Sequence, residues 1–544
     1  MGLGLHRIGA QPLSAAIMRS RQPMSDFLPE PVGAELLRQV ALAAIEAATQ
    51  AGASYADIRI ADARRLDLNV GDTFVVPMSY LTFDYSYGVR VLVDGTWGFA
   101  YGAGPTVDSV TRAARSAVST ARGIAKFSTP CPPLVPVPVA KGEWATPVQV
   151  DPFAISPDEH AKTLNAYRAA GHHILDKRIS FSTLRFQWWN QTRVFASSEG
   201  SLLTQRLTRA MPQVEIWRGL KYTNEGVNIP LTGFRPRGAG YETVVGPELQ
   251  ESIKQNAEEI VRLSNYPIAQ ADVGRYPALL DGQAISVLAS MTLSRALEIR
   301  RVLGHDADGT GTSVLAPANE MLGKQVLSPH MTITTDRSVP EYGAAKWDDE
   351  GVATEPFTLI DKGTVVDYFT TRATGSVLAE WYAKRGKPLT THGSAVAWSP
   401  TVVPNGVASS LRVQEDTNGK SLDAMTKEMG TGLLFRGVRG AFGINGMRQA
   451  HINTDQQLSG GSYLPMMMYE VKRGAITRRL MGGMMQFRTL PLFKSITAVG
   501  NASTLEPYTH GESLFEALDV SVVPVMAPAA HVPQVDITQF EKTL

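Results

Sequence analysis

Tyr87-Gly88-Val89-Arg90-Val91-Leu92-Val93-Asp94-Gly95-Thr96-Trp97-Gly98-Phe99-Ala100 is the most informative stretch of the chain. Its β-branched and aromatic residues flank an Asp-Gly pair, the dipeptide that tolerates the left-handed backbone of a tight hairpin, so two antiparallel strands are predicted here. Upstream, Tyr55-Ala56-Asp57-Ile58-Arg59-Ile60 alternates as a half-buried strand. Before it, Glu35–Gln50 carries Leu36, Leu37, Val40, Ala43, Ala44 and Ala47 at helical spacing, and Gly52 follows as a stop. Downstream, Val107–Ile124 sets Val110, Ala114 and Val118 on one face of a second helix. Residues 34–126 therefore read as an α+β unit.

Beyond it, Thr129–Pro138 has five prolines in ten residues and favours an extended polyproline conformation, so 127–143 is expected to be a linker. Residues 144–270 form a central α+β unit, with helices near 157–170 and 247–264 and strands around Ile179–Trp189, Arg193–Ser198 and Leu202–Ile216. From Tyr276 onward strands dominate, punctuated by Asp361-Lys362-Gly363, Pro404-Asn405-Gly406 and Lys472-Arg473-Gly474. Residues 271–544 are expected to form a large, mostly antiparallel β domain with one helix of interest at Ala284–Leu303. Residues 1–33 read as a flexible tail within which Met24 is a candidate start. The fold class is α+β, helix/sheet units preceding a β-rich C-terminal domain.

Lysine plus arginine number 52 against 51 acidic residues in 544, a balance without the basic footprint of a nucleic-acid binder. The single cysteine, Cys131, permits neither an internal disulfide nor a cysteine cluster. No window approaches a membrane span, and the early arginines precede no secretory apolar run, so a cytoplasmic protein is expected. Phosphate-loop motifs are missing, and Gly437, Gly440, Gly443 and Gly446 read as structural. Asp306-Ala307-Asp308-Gly309-Thr310-Gly311 starts like a calcium loop but places Pro317 where the bidentate glutamate belongs. Asp348-Asp349-Glu350 reads as a solvated turn, and lone histidines such as His305, His330, His392 and His451 as packed or surface residues. Met466-Met467-Met468, Met481, Met484 and Met485 read as core or interface filling.

The order of these segments resembles the TldD/PmbA family, metallopeptidases also described as modulators of DNA gyrase. The resemblance rests on Ala53–Arg59, Tyr87–Ala100, Phe195-Ala196-Ser197-Ser198-Glu199-Gly200 and Trp347-Asp348-Asp349-Glu350-Gly351. In catalytic members a helix carries H-E-x-x-x-H ahead of a segment matching Glu298-Ile299-Arg300-Arg301-Val302-Leu303-Gly304 and then Gly311-Thr312-Ser313. Counting back from Glu298 places the three motif positions at Ser290, Met291 and Arg295. A five-residue separation turns a regular helix by about 500°, so the active motif needs a local widening to bring both histidines to one metal. Arginine cannot replace a histidine there, because guanidinium offers no lone pair. By resemblance the last zinc ligand is a cysteine on a late strand, here Tyr463–Tyr469, which contains none.

The resemblance thus implies a non-catalytic PmbA/TldE-like member with no catalytic, cofactor-binding or metal-binding residues of its own. Zinc is expected in a TldD-like partner subunit, and the pair acts on extended peptides. Two alternatives stand beside this reading: a peptide-binding scaffold acting as a homodimer, and a hydrolase built on Glu298, His305, Asp306 and Asp308. Nucleic acid and membrane are not expected partners.

Overall fold

The computed structural model describes residues 31–539 apart from 71–74, 175–178, 219–225, 228–235, much of 246–264, 308–310, 340, 342, 439–451, 455–456 and 509–523. It also describes 11–12, 21–23 and 25. The expected tail and the expected helix near 247–264 lie largely outside these residues.

The hairpin is present. Strands β1 (Tyr55–Val70), β2 (Val75–Val93) and β3 (Thr96–Ala103) follow helix α1 (Ala34–Gln50) and precede α2 (Val107–Ala125). Asp94 and Gly95 both take positive φ, 50° and 76°, as the two-residue turn between β2 and β3 requires. Thr106 and Ser109 cap α2 reciprocally. That helix presses so closely on β3 that a Cβ at Gly98 would stand 2.0 Å from the Ala117 carbonyl oxygen. Leu37, Val40, Ala44, Val110, Ala114 and Val118 bury the apolar faces of both helices against this sheet.

The sheet does not stop at residue 126. Strand β4 (Lys141–Ala145) emerges from the end of the expected linker, and β5 (Ile179–Ser197) and β6 (Leu202–Arg218) follow helix α3 (Pro157–Ile174). β1 pairs antiparallel with β5 from Asp57↔Ser197 to Val70↔Leu184, and β4 adds in parallel to β6. The segments 34–126 and 144–270 therefore share one eight-stranded sheet. Leu66, Leu68, Phe186 and Trp188 on it pack in one cluster with Leu279, Leu434, Met467 and Tyr469 of the C-terminal part.

The C-terminal part contains a ten-stranded and a six-stranded sheet. The first is centred on β7 (Gly274–Leu280), and the second includes β8 (Ile333–Thr335), β9 (Phe357–Asp361) and β10 (Leu411–Val413). Most pairings are antiparallel, as expected, but β7 runs parallel to β11 (Gly432–Val438). Met467, Met468 and Met485 are buried, in keeping with the core reading of the methionines. No described helix is long and apolar enough to cross a membrane.

The helix expected at Ala284–Leu303 is three helices: α4 (Gly282–Met291), α5 (Leu293–Ala296) and α6 (Ile299–Val302). Thr292 departs from helical geometry with φ −125° and ψ −70°. Around the break, Thr292 donates to the Leu288 carbonyl at 2.6 Å and Ser294 to the Ser290 carbonyl at 2.6 Å. Such back-bonding by hydroxyl side chains bends helices. Glu298, extended, makes the second break.

Candidate functional site

Asp281 starts α4 by accepting from the backbone N–H of Ala284 and of Gly437, both at 2.8 Å. Burial, and the nearby Glu506 carboxylate, push Asp281 up to about 7. The helix is buried from Gly282 through Ser290, so no water-facing stripe exists along it. Ser290 is fully buried, Met291 is half-buried against the C-terminal core, and Arg295 is buried on α5 beyond the Thr292 break. Ser290 and Met291 thus lie before the Thr292 break and Arg295 after it. A hydroxyl, a thioether and a guanidinium do not fit a zinc site. Among the described residues, no three histidine, cysteine or acidic side chains cluster as a metal site would need.

The segment that follows is held by ion pairs. Glu298 accepts from Arg301 Nε at 2.9 Å and from Arg300 Nε at 3.2 Å, and Arg300 reaches Asp306 at 2.9 Å. Ser313 donates to the Ala296 carbonyl at 2.6 Å. His305 is exposed, and Asp308 lies outside the described residues. On the late strand β12 (Pro465–Lys472), Met468 joins the cluster containing Ile285 and Leu288 of α4, whereas Met467 faces the opposite cluster with Leu66 and Trp188.

The residues carrying the family resemblance converge elsewhere, in a buried junction between the eight-stranded sheet and the Trp347–Gly351 turn. Arg90 donates through Nε and Nη2 to Asp57 at 2.9 and 2.7 Å, and its Nη2 lies 2.8 Å from Glu350. Its guanidinium carbon stands 4.5 Å over the Trp97 ring. Burial opposes the charge on Arg90, but Asp57 and Glu350 outweigh it and hold the guanidinium above its usual range. Glu350 also accepts from the Arg372 backbone N–H at 2.6 Å, and Arg372 grips Glu199 with both terminal nitrogens at 2.7 and 2.8 Å. Arg193 meets Asp349 at 3.1 Å. Asp348 accepts three backbone N–H groups, from Glu350, Val352 and Ala395, yet burial, then Glu350, push it up to about 7.

Asp348, Asp349 and Glu350 are thus 3%, 8% and 1% exposed, which overturns their reading as a solvated turn. Alternating polar residues on a strand such as Asp57-Ile58-Arg59-Ile60 signal water on one face; here the second face meets another domain's acids. Gly351 at φ +77° lies against the Phe195 ring, 2.4 Å from where a Cβ would be, so the turn is pressed onto β5.

A second feature escaped the sequence. A cleft of about 620 Å³ runs over the six-stranded sheet, lined by Thr334 and Thr335 of β8, Phe357 and Thr358 of β9, and Leu411 and Arg412 of β10, with Arg237 and Glu341 at one side. Behind it, His392 stacks on Phe357 with ring centroids 4.3 Å apart. Its Nδ1 bonds Glu355 at 2.6 Å, and its Nε2 bonds Tyr382 at 2.7 Å and Asp367 at 3.2 Å. These positions are too scattered along the chain for any local pattern to reveal them.

Known proteins agree with this architecture. The description "PmbA/TldA metallopeptidase C-terminal domain" matches residues 273–539, and "PmbA/TldA metallopeptidase domain 1" matches 75–121. A metalloprotease of Methanocaldococcus jannaschii is 22% identical over 365 residues, 67% of this chain and 76% of that protein. A metalloprotease of Methanothermobacter thermautotrophicus is 23% identical over 389 residues, covering 71% and 77%. Among solved structures, a putative modulator of DNA gyrase from Thermotoga maritima superposes with a TM-score of 0.69 at 17% identity, and TldE from Thermococcus kodakarensis with 0.68 at 17%. Each covers 92% of this chain and 100% of the other. With the first-domain description on the hairpin and α2, the C-terminal description over β7 to the last strand, and whole-length superposition joining them, the chain belongs to the PmbA/TldD metallopeptidase family.

Proposed function

We propose that this chain is a non-catalytic, TldE-like subunit that pairs with a zinc-carrying relative and shares in handling extended peptides. The observation that carries the proposal is the side-chain chemistry at 290, 291 and 295: serine, methionine and arginine stand where the family resemblance places histidine, glutamate and histidine. Without ligands there is no Lewis acid to polarise a peptide carbonyl, and without a glutamate at 291 no general base to take a proton from water. The structural likeness to TldE supports the assignment to the partner class. Zinc belongs, in this reading, to the partner, and the pair works in the cytoplasm.

This chain's own contribution is binding. An extended peptide is recognised through its main chain irrespective of sequence, with side-chain pockets adding selectivity. The cleft across β8, β9 and β10 presents the Phe357 ring among Arg237, Glu341 and Arg412, the last paired with Glu415, for that purpose. The test is reconstitution. The chain is purified alone, mixed with a homologue carrying an intact H-E-x-x-x-H, and assayed on unfolded peptides with elemental analysis of each component. Zinc confined to the homologue, with cleavage requiring both chains, is expected; stoichiometric zinc in this chain, or chelator-sensitive cleavage by it alone, refutes the reading.

A further inference from the structure

Arg59 is an anomaly within the junction. It lies on β1 two residues from Asp57, is 4% exposed, and none of its three guanidinium nitrogens has a hydrogen-bond partner among the described residues. Buried donors of this kind are almost always satisfied, and a guanidinium carries five N–H groups. Burial, eased by Asp57 and Asp349, leaves Arg59 lowered to about 10, so it is charged at neutral pH. It borders a small cavity of about 20 Å³ that also touches Arg193, Asp348, Asp349 and Pro400.

Three properties of the cavity define what it takes. Its volume admits one small molecule, since about 10–15 Å³ of such space accommodates a water. Its lining sets two arginines beside two aspartates, donors beside acceptors, which suits an occupant that both accepts and donates. Finally, among the described residues the Asp349 carboxylate accepts from Arg193 Nη1, at 3.1 and 3.2 Å, and from the Ala397 N–H at 2.8 Å, which leaves lone-pair capacity on its oxygens.

We propose that this cavity is a built site for a single water molecule that accepts from the Arg59 guanidinium and donates to the Asp349 carboxylate. The bridge links β1 to the 347–351 turn beside the direct Arg90–Glu350 and Arg193–Asp349 contacts, so that three arginines from three adjacent strands each hold the same turn. A water-mediated contact supplies nearly the enthalpy of a direct one.

The test uses crystals of the full chain grown with sodium bromide and measured at the bromine edge, together with Arg59→Met treated alike. An oxygen-sized peak within about 2.7–3.2 Å of an Arg59 nitrogen and of Asp349, without anomalous signal, is expected. In Arg59→Met that peak is expected to disappear. An anomalous peak makes the ligand an anion and overturns the proposal, as does a direct Arg59–carboxylate bond with no peak between. A peak unchanged in Arg59→Met shows that Arg59 is not its anchor and overturns it equally.

Discussion

Arg90 on β2 and Glu350 in the turn after Trp347 approach to 2.8 Å, with side chains 4% and 0% exposed. This contact closes a chain of charges, Asp57–Arg90–Glu350, that crosses from the N-terminal sheet into the C-terminal part. A buried pair contributes little over a well-packed apolar replacement, but removing one partner strands a charge in the interior. Glu350→Gln is therefore expected to destabilise the protein by about 3–5 kcal/mol. The triple variant Asp57→Leu/Arg90→Met/Glu350→Leu, which removes the whole chain of charges, should recover part of that loss. Chemical denaturation of the wild type and the two variants checks it; a triple variant no more stable than Glu350→Gln would show that no stranded charge is involved.

His160 gives the protein an acid-sensitive element. It is fully buried, its Nε2 bonds the Pro152 carbonyl at 3.0 Å, and burial lowers its pKa to about 4. Below pH 6.5 the unfolded chain takes up a proton here that the folded chain refuses. Stability therefore falls between pH 6.5 and 4, by about 3 kcal/mol in all. Asp281 and Asp348, raised to about 7, act with the opposite sign over the same interval, because their folded forms keep protons that the unfolded chain releases. The whole-protein pH profile mixes these terms, so the measurement is a difference: His160→Gln should show a flatter loss than the wild type as pH falls from 6.5 to 4. Parallel curves contradict the assignment.

The His392 cluster titrates the other way. Burial disfavours its imidazolium, but Asp367 and Glu355 outweigh burial and raise its pKa. The stability it contributes is complete below pH 6.5 and is lost as pH rises through the raised value. An NMR titration of the His392 ring is expected to give a midpoint above 6.5, and Glu355→Gln to lower it. A wild-type midpoint at or below 6.5 would mean that the Glu355 and Asp367 contacts are not formed in solution.

What the sequence made legible was local. The Asp94-Gly95 turn, the two alanine-rich helices and the methionine core follow from spacing and turn chemistry that act within a few residues. The shared sheet was hidden because Pro130–Pro138 reads as a separator whatever the flanking strands do, and the pairing of Asp57 with Ser197 has no signature in either strand alone. Likewise Asp348-Asp349-Glu350 carries the composition of a solvated turn; only the arginines brought by β2 and β5 make burial tolerable. The Thr292 break was half legible: the five-residue spacing of the resembled motif demands a distortion, but the hydroxyls of Thr292 and Ser294 that accompany it look unremarkable in a helix.

Introducing the family's motif tests the register that the resemblance implies. Ser290→His, Met291→Glu and Arg295→His recreate the helix portion of the metal site across the Thr292 break. Ser290 is fully buried, however, so a histidine there must displace packed neighbours, at a cost of about 1–3 kcal/mol. The late strand still supplies only thioethers. The triple variant is therefore expected to melt below the wild type, to bind zinc measurably more tightly, and to show no turnover. Added to the triple variant, cysteines placed singly at 465, 466, 467 and 468 should give one position that tightens binding well beyond the others. Met468 is the expected one, because it shares the packed cluster of Ile285 and Leu288, whereas Met467 faces away from it. Calorimetric zinc titration of the folded variants decides it, and a flat response at all four positions would place the motif helix or the late strand in the wrong register.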